Sequence, residues 1–208
     1  GSVLDSDGKI LKSREGEVIK LVDLLRESIN RAEQAVAERN PELKGAQRQE
    51  VARAIGIGAV KYADLSTERT KDYVFDWDRM LSFEGNTSPY LQYAHARICS
   101  IFRRSGAERS SLRGTGISLD RPEEQLLARR LANFAAVTDD TLATYSPHRL
   151  CTYLHSVASA FATFYESCPV LAAEDEATMT SRLALCDLTA KTISTGLGLL
   201  GIDSPEQM

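Results

Sequence analysis

The sequence predicts an all-α protein, an antiparallel helical bundle preceded by a loop and a helical connecting region. Three observations predict it. Apolar residues recur at spacings of three and four through most of the chain. No segment alternates convincingly at period two, so no strand is expected. Helix-starting and helix-stopping residues bracket the periodic stretches, as at Asn86-Thr87-Ser88-Pro89, Ser146-Pro147 and Gly201.

Residues 5–17, DSDGKILKSREGE, are polar and punctuated by glycine, and read as a loop. A long amphipathic helix follows over residues 18–39, with Leu21, Leu24, Leu25, Ile29, Ala32 and Val36 as its apolar stripe. Asn40-Pro41 ends it, and a polar linker runs to about Gln47. Residues 48–65 form a second helix that carries Gly56 and Gly58. Each glycine costs roughly 1 kcal/mol relative to alanine, so close packing against another element is expected there. Ser66 to Thr70 make a polar turn. In the segment 73–83, Asp76 and Asp78 flank Trp77, the only tryptophan. We read it as a tether with Trp77 packed inward rather than as an acid/base pair of carboxylates.

The stretch Glu84–Arg104, EGNTSPYLQYAHARICSIFRR, organises the rest. Asn86, Thr87 and Ser88 suit a cap, and Pro89 suits the first helical turn. Leu91, Ala94, Ile98, Ile101 and Phe102 should face a core. Residues 105–120 are polar, mildly basic through Arg109 and Arg113, and long enough for a mobile or functional loop. Pro122 opens the next helix, with Leu126, Leu127, Leu131, Phe134 and Val137 on its inner face, and a shorter helix covers 139–144. Ser146-Pro147 starts a helix to about Ser167, carrying Leu150, Leu154, Val157, Ala158, Phe161 and Tyr165. The last helix spans about 174–200, with Met179, Leu183, Cys186, Ile193, Leu197 and Leu200 inward and Gly201 as its stop.

Bulk properties narrow the function. At 208 residues the chain can bury a sizeable core, and 43% hydrophobic with 26% charged residues is ordinary for a globular protein. A net charge of -4 means that any RNA contact must come from a local basic surface. No apolar run approaches the length of a membrane span, and no signal peptide is visible. Cysteines at 99, 151, 168 and 186 form no CxxC pair, which fits reduced thiols and a cytoplasmic location. His148, Cys151 and His155 fall along one helix face as metal ligands could, but there is no fourth ligand nearby and no metal site is expected. Gly1-Ser2 reads as a remnant of cloning, and the chain is expected to be part of a longer protein.

Two places carry candidate chemistry. Tyr90 and Tyr93 are three apart near the start of the central helix, and Arg97, Arg103 and Arg104 add cationic groups. Aromatic rings beside guanidinium groups suit unstacked RNA bases and phosphates. A capped core helix with two half-buried tyrosines has the same sequence, and the residues alone leave both readings open. Between Gly8 and Gly16, Lys9, Lys12 and Arg14 could reach a polyphosphate; an exposed charged hairpin has the same composition.

Longer motifs add a resemblance. Residues 56–104, GIGAVKYADLSTERTKDYVFDWDRMLSFEGNTSPYLQYAHARICSIFRR, resemble the C-terminal part of bacterial and eukaryotic arginyl-tRNA synthetases. GKILKSREGEVIKLVDLL is similar to that family's G-K-x-F-K-T-R-x-G-x-x-V-K-L-x-D-L-L segment. TYLHSVASAFATFYESCPVL and GLGLLGIDSPEQM are similar to its last two helices and C-terminus. The resemblance implies a class I enzyme that joins arginine to tRNA(Arg) using ATP with Mg2+. It implies that residues 1–83 are the end of the catalytic region and residues 84–208 the helical anticodon-binding domain. The HIGH motif and arginine pocket are absent, so the chain alone is expected to bind tRNA but not to aminoacylate it. Its expected partners are tRNA(Arg) and the missing N-terminal catalytic region, with no membrane and no DNA.

On this resemblance Lys9, Lys12 and Arg14 correspond to the degenerate KMSKS loop and would serve the ATP phosphates. Leu11, Ser13 and Glu15 depart from the family pattern, and an added carboxylate at Glu15 is electrostatically unhelpful beside phosphate. Tyr90 and Tyr93 match the tyrosines of a P-Y-x-Q-Y motif beside the anticodon loop. Tyr165 matches an aromatic of the penultimate helix, and Met208 a terminal methionine that packs on an anticodon base. Met208, at a chain end, is expected to gain order only with RNA. A free-standing RNA-binding or interaction module derived from the synthetase, or an unrelated helical scaffold, remains as the alternative.

Overall fold

A helical hairpin and a helical bundle, joined by a short irregular segment, make up the structure, a computed structural model that describes residues 1–10 and 20–208. The hairpin is α1 (Leu21–Arg39) and α2 (Gly45–Leu65). Its seam is built from small residues. Ser28, Ala32 and Val36 are buried against Val51, Ala52 and Ile55, and the Ser28 hydroxyl donates to the Gly56 carbonyl at 2.8 Å. A Cβ on Gly56 would lie 2.7 Å from the Ile29 Cα, which explains the glycine: the backbones touch. The predicted leucine stripe is therefore displaced. Leu21 is 63% exposed, and Leu24 and Leu25 are half-buried beside Val3, Ile57, Val60 and Phe75. Helices that approach this closely leave no room for leucine in the seam.

Strands appear where none was expected. β1 (Val3–Leu4) pairs in parallel with β2 (Tyr73–Val74), and the Phe75 amide donates to the Leu4 carbonyl at 2.8 Å. Two residues per strand are too few for any alternation to show. Next, α3 (Trp77–Met80) is capped by the Asp76 carboxylate, which accepts from the Arg79 amide at 3.1 Å. Trp77 is half-buried rather than inward, with the Arg31 guanidinium 5.2 Å from its ring and Phe75 edge-on; Met80 is the residue that enters the core.

The bundle comprises α4 (Ser88–Ser105), α5 (Pro122–Ala132), α6 (Phe134–Thr144), α7 (Pro147–Ser167) and α8 (Glu176–Leu199). Thr87 caps α4 by accepting from the Tyr90 amide at 3.2 Å, with Pro89 in the first turn. Gly106, at φ 68°, closes its other end. Leu91, Ile98 and Ile101 join Leu127, Leu154, Val157, Phe161, Phe164, Ile193 and Leu197 in one core. Helix α8 runs antiparallel to α4: Gln92 near the start of α4 meets Asp203 beyond α8, and Arg109 beyond α4 meets Asp187 midway along α8. Tyr153 of α7 donates to the Arg130 carbonyl of α5 at 2.8 Å. The apolar run from Leu126 to Val137, read as one helix, breaks at Asn133, and α6 buries none of its residues.

The polar stretch after α4 is anchored, not free. Arg109 lies 5.2 Å from the Phe102 ring and donates to Asp187 at 2.6 Å. Leu112 is buried, and Ser118 exchanges hydrogen bonds with Ser181 at 2.9 and 3.1 Å. All four cysteines are buried, and burial pushes the Cys151 and Cys186 thiols up to about 12. Among the described residues no His, Cys, Asp or Glu side chains group as metal ligands would, and no helix is long and apolar enough to cross a membrane.

Candidate nucleic-acid interface

One exposed stripe of α4 supplies Tyr93, Arg97, Ser100 and Arg104, at helical steps of four, three and four. Across from it stand Tyr165 of α7, Asn40 at the end of α1, and Gln207 and Met208 of the C-terminal tail. Together with Arg103 these residues line a groove of about 500 Å³. Among the described residues no carboxylate side chain lines it, and three arginines outweigh the main-chain carboxylate of Met208, so the groove is locally cationic although the chain is net negative.

Arg97 is the centre of this arrangement. Its guanidinium carbon lies 4.8 Å from the Tyr93 ring centroid and 5.3 Å from that of Tyr165. Its Nη2 donates to the Tyr93 hydroxyl at 2.5 Å. Phe83 supports the Tyr93 ring edge-on at 6.4 Å. The ring of Tyr93 is thus fixed by an arginine and a phenylalanine while still 36% exposed. A rigid, half-exposed aromatic beside arginine side chains offers stacking at low entropic cost together with phosphate attraction.

The remaining expected residues are placed differently. Tyr90 lies outside the groove: it packs on the bundle core with its ring 5.6 Å from that of His155. A three-residue step falls short of a full helical turn, and here that offset puts the two tyrosines against different neighbours. Arg103 is exposed, but its Nη1 donates to the Glu206 carbonyl at 3.1 Å, so it ties down the tail. Arg104 is exposed. Met208 is not loose: it is half-buried against the core of the α1–α2 hairpin, and Asn40 Nδ2 donates to its carbonyl at 3.0 Å. Lys9 is exposed in a turn where its amide donates to Asp5 Oδ1 at 2.9 Å. Lys12 and Arg14 lie outside the described residues.

Asn40, Ser100 and Gln207 join the groove without a sequence signal, since each reads as a helix stop or an ordinary polar position. Arg39 carries no sequence signal either; its guanidinium lies 4.2 Å from the Phe83 ring, behind Tyr93.

Residues 91–208, which hold every groove residue except Asn40, match the family model described as the DALR anticodon binding domain. The chain belongs to the DALR anticodon binding domain family. Residues 1–77 match a second model, the catalytic domain of class I tRNA synthetases (R). Curated relatives of this DALR chain include the arginine–tRNA ligase of Edwardsiella ictaluri, 50% identical over 208 residues, and that of Cellvibrio japonicus, 51% identical over 209. Each alignment covers the whole chain, which spans 36% of the relative's length. Among solved structures, the Thermus thermophilus arginyl-tRNA synthetase superposes with a TM-score of 0.87 at 33% identity, covering all of this chain and 34% of that one. The Plasmodium falciparum enzyme gives 0.83 at 30% identity, covering 92% of this chain and 34% of that one.

Proposed function

We propose that this chain is the tRNA(Arg)-anticodon-binding portion of an arginine–tRNA ligase, and that alone it binds tRNA without charging it. The observation that carries this reading is the groove. Tyr93, Arg97, Arg104, Tyr165 and Met208 come from separate parts of the chain and converge on one cationic, aromatic surface. Splayed-out anticodon bases stack on such rings, and the flanking phosphates take the cations. In this reading Tyr93, Tyr165 and Met208 meet bases, Arg97 orients both rings, and Arg104 meets phosphate. Tyr90 and Arg103 support the surface from the core and the tail. The division into residues 1–83 and 84–208 is supported by the two family models, which match 1–77 and 91–208. The partners are tRNA(Arg) and a preceding catalytic region, and the location is cytoplasmic, as for an enzyme of translation.

The experiment is binding of an arginine-anticodon stem-loop and a scrambled-anticodon control at several salt concentrations. Tyr93→Ala is expected to weaken the cognate stem-loop by about 1–3 kcal/mol with the fold intact. Arg104→Ala is expected to weaken both RNAs alike and to flatten the salt slope by about one unit. Tyr93→Ala binding both RNAs like wild type would make the tyrosine structural and remove the proposal's support.

ATP with Mg2+ belongs to the longer enzyme, where Lys9, Lys12 and Arg14 are the side chains we assign to its phosphates. In that longer protein Lys12→Ala is expected to lower kcat roughly 10–1000-fold, the range for one preorganised charge, with little change in KM for arginine. An unchanged kcat moves the role elsewhere.

A further inference from the structure

The tail after α8 has no helix or strand, yet it follows one defined path. That path is set by donors on the helices reaching its carbonyls in order. Lys61 Nζ donates to the Gly201 carbonyl. Gln92 Nε2 donates to Asp203 at 2.7 Å, and His95 Nδ1 lies 3.1 Å from the Pro205 carbonyl. Arg103 donates to Glu206 at 3.1 Å and Asn40 to Met208 at 3.0 Å. Donors that take carbonyls specify the course of a backbone more than the identity of its side chains.

Helix α4 carries two neighbouring stripes. Gln92, His95, Cys99 and Arg103 face the tail or its anchors, and Tyr93, Arg97, Ser100 and Arg104, each within one or two residues of a partner in the first stripe, line the groove. The tail therefore runs alongside the groove as its flank and ends with Met208 as part of its wall.

We propose that Gln92 and His95 are positioning residues for RNA recognition, fixing residues 202–208 along α4 so that Met208 closes one side of the groove. This rests on the reading of the groove given above. Gln92 is fully buried, and its Nε2 is shared between Ala54 of α2, at 3.1 Å, and the tail. A buried amide costs free energy unless paired; here the Nε2 is paired twice while Oε1 finds no partner among the described residues, so the position carries a cost that an apolar residue would avoid, and the Nε2 bonds to α2 and the tail are what it supplies. A Cβ on Gly58 would stand 3.1 Å from that Nε2 and 3.0 Å from Ile202 Cγ2, so α2 keeps the space clear for the amide and the tail. His95 is 5% exposed. Burial holds its pKa below the usual histidine value, so the ring stays neutral, carrying its proton on Nδ1 toward Pro205. Neither residue lines the groove, so any effect on RNA must pass through the tail.

The test uses this 208-residue chain with methyl-labelled methionine and the arginine-anticodon stem-loop as probe. His95→Leu and Gln92→Leu are expected to weaken RNA binding about 5- to 150-fold, the scale of one lost base contact. In the RNA-free protein they should move the Met208 methyl resonance toward its random-coil position. His95→Asn, whose amide nitrogen takes the place of Nδ1 and can still donate to the Pro205 carbonyl, should restore both readouts. In a Met208→Ala background the leucine variants should cost no further affinity, because the route through Met208 is already gone. A Met208 methyl that stays packed in the leucine variants, or losses that add in the Met208→Ala background, would overturn the proposal. If a leucine variant does not fold, His95→Ala, which has no side-chain donor, carries the same readouts. Failure of the wild-type chain to bind the stem-loop counts against the groove reading alone, since the methyl measurement still decides the course of the tail.

Discussion

Arg182→Ala is expected to destabilise the chain by about 3–5 kcal/mol, the usual cost of leaving one partner of a buried ion pair behind. Arg182 is 4% exposed and Glu124 3%. The guanidinium Nε donates to Glu124 Oε1 at 2.8 Å, and Nη1 donates to the Pro169 carbonyl at 2.8 Å. The other carboxylate oxygen accepts from the Asp120 and Arg121 amides, both at 2.9 Å. One pair thus joins the start of α8, the end of the loop before α5 and the turn after α7. Without the arginine, Glu124 keeps only its amide donors and stays out of water. Replacing both residues by apolar ones of similar volume should cost much less, because no charge is then left unpaired. Urea denaturation of the single and double variants measures this. A loss below about 1 kcal/mol for Arg182→Ala would show that water reaches the site and screens it.

Gly56→Ala is expected to destabilise by about 3 kcal/mol, at the upper end for overpacking. Helix propensity alone predicts the opposite sign, a gain of roughly 1 kcal/mol for alanine over glycine. The added Cβ would lie 2.7 Å from both the Ile29 Cα and its amide nitrogen, and 2.8 Å from the Ser28 carbonyl carbon. These are backbone atoms, so no rotamer change relieves the contact; α1 and α2 must separate, which weakens the Ser28–Gly56 hydrogen bond. Gly198→Ala is the control. It lies in α8 with nothing within 4 Å of a built Cβ, and should be neutral or stabilising by up to about 1 kcal/mol. Thermal or urea unfolding of the two variants should therefore shift in opposite directions. A stabilised Gly56→Ala would mean that the helices do not touch at this point.

Much of the bundle was legible because its signals are local. The Thr87 cap and Pro89 start, the buried Leu91, Ala94, Ile98, Ile101 and Phe102, and the glycine after α8 depend on residues within a few turns of one another. Gly56 and Gly58 signalled close packing for a similar reason: a costly residue kept inside a helix needs a steric cause. The candidate site was legible in part. Tyr93, Arg97, Arg103, Arg104, Tyr165 and Met208 do meet in space, but their assembly was inferred from the resemblance, since spacing within α4 says nothing of α7 or the tail.

The sequence by itself determined the all-α class, most of the helix starts and stops though not the break at Asn133, and which face of α4 enters the core, because hydrophobic periodicity and capping act over a few residues. The tertiary structure decided the rest. It turned Leu21 out of the α1–α2 seam, separated Tyr90 from Tyr93, made Arg103 a tether, and held Met208 in place through Asn40. It also paired Glu124 with Arg182, which in sequence look like ordinary surface charges. Each of these outcomes depends on a partner far along the chain. A buried hydrogen bond or ion pair forms only where two elements desolvate the same point, and that coincidence leaves no mark in the local pattern of either one.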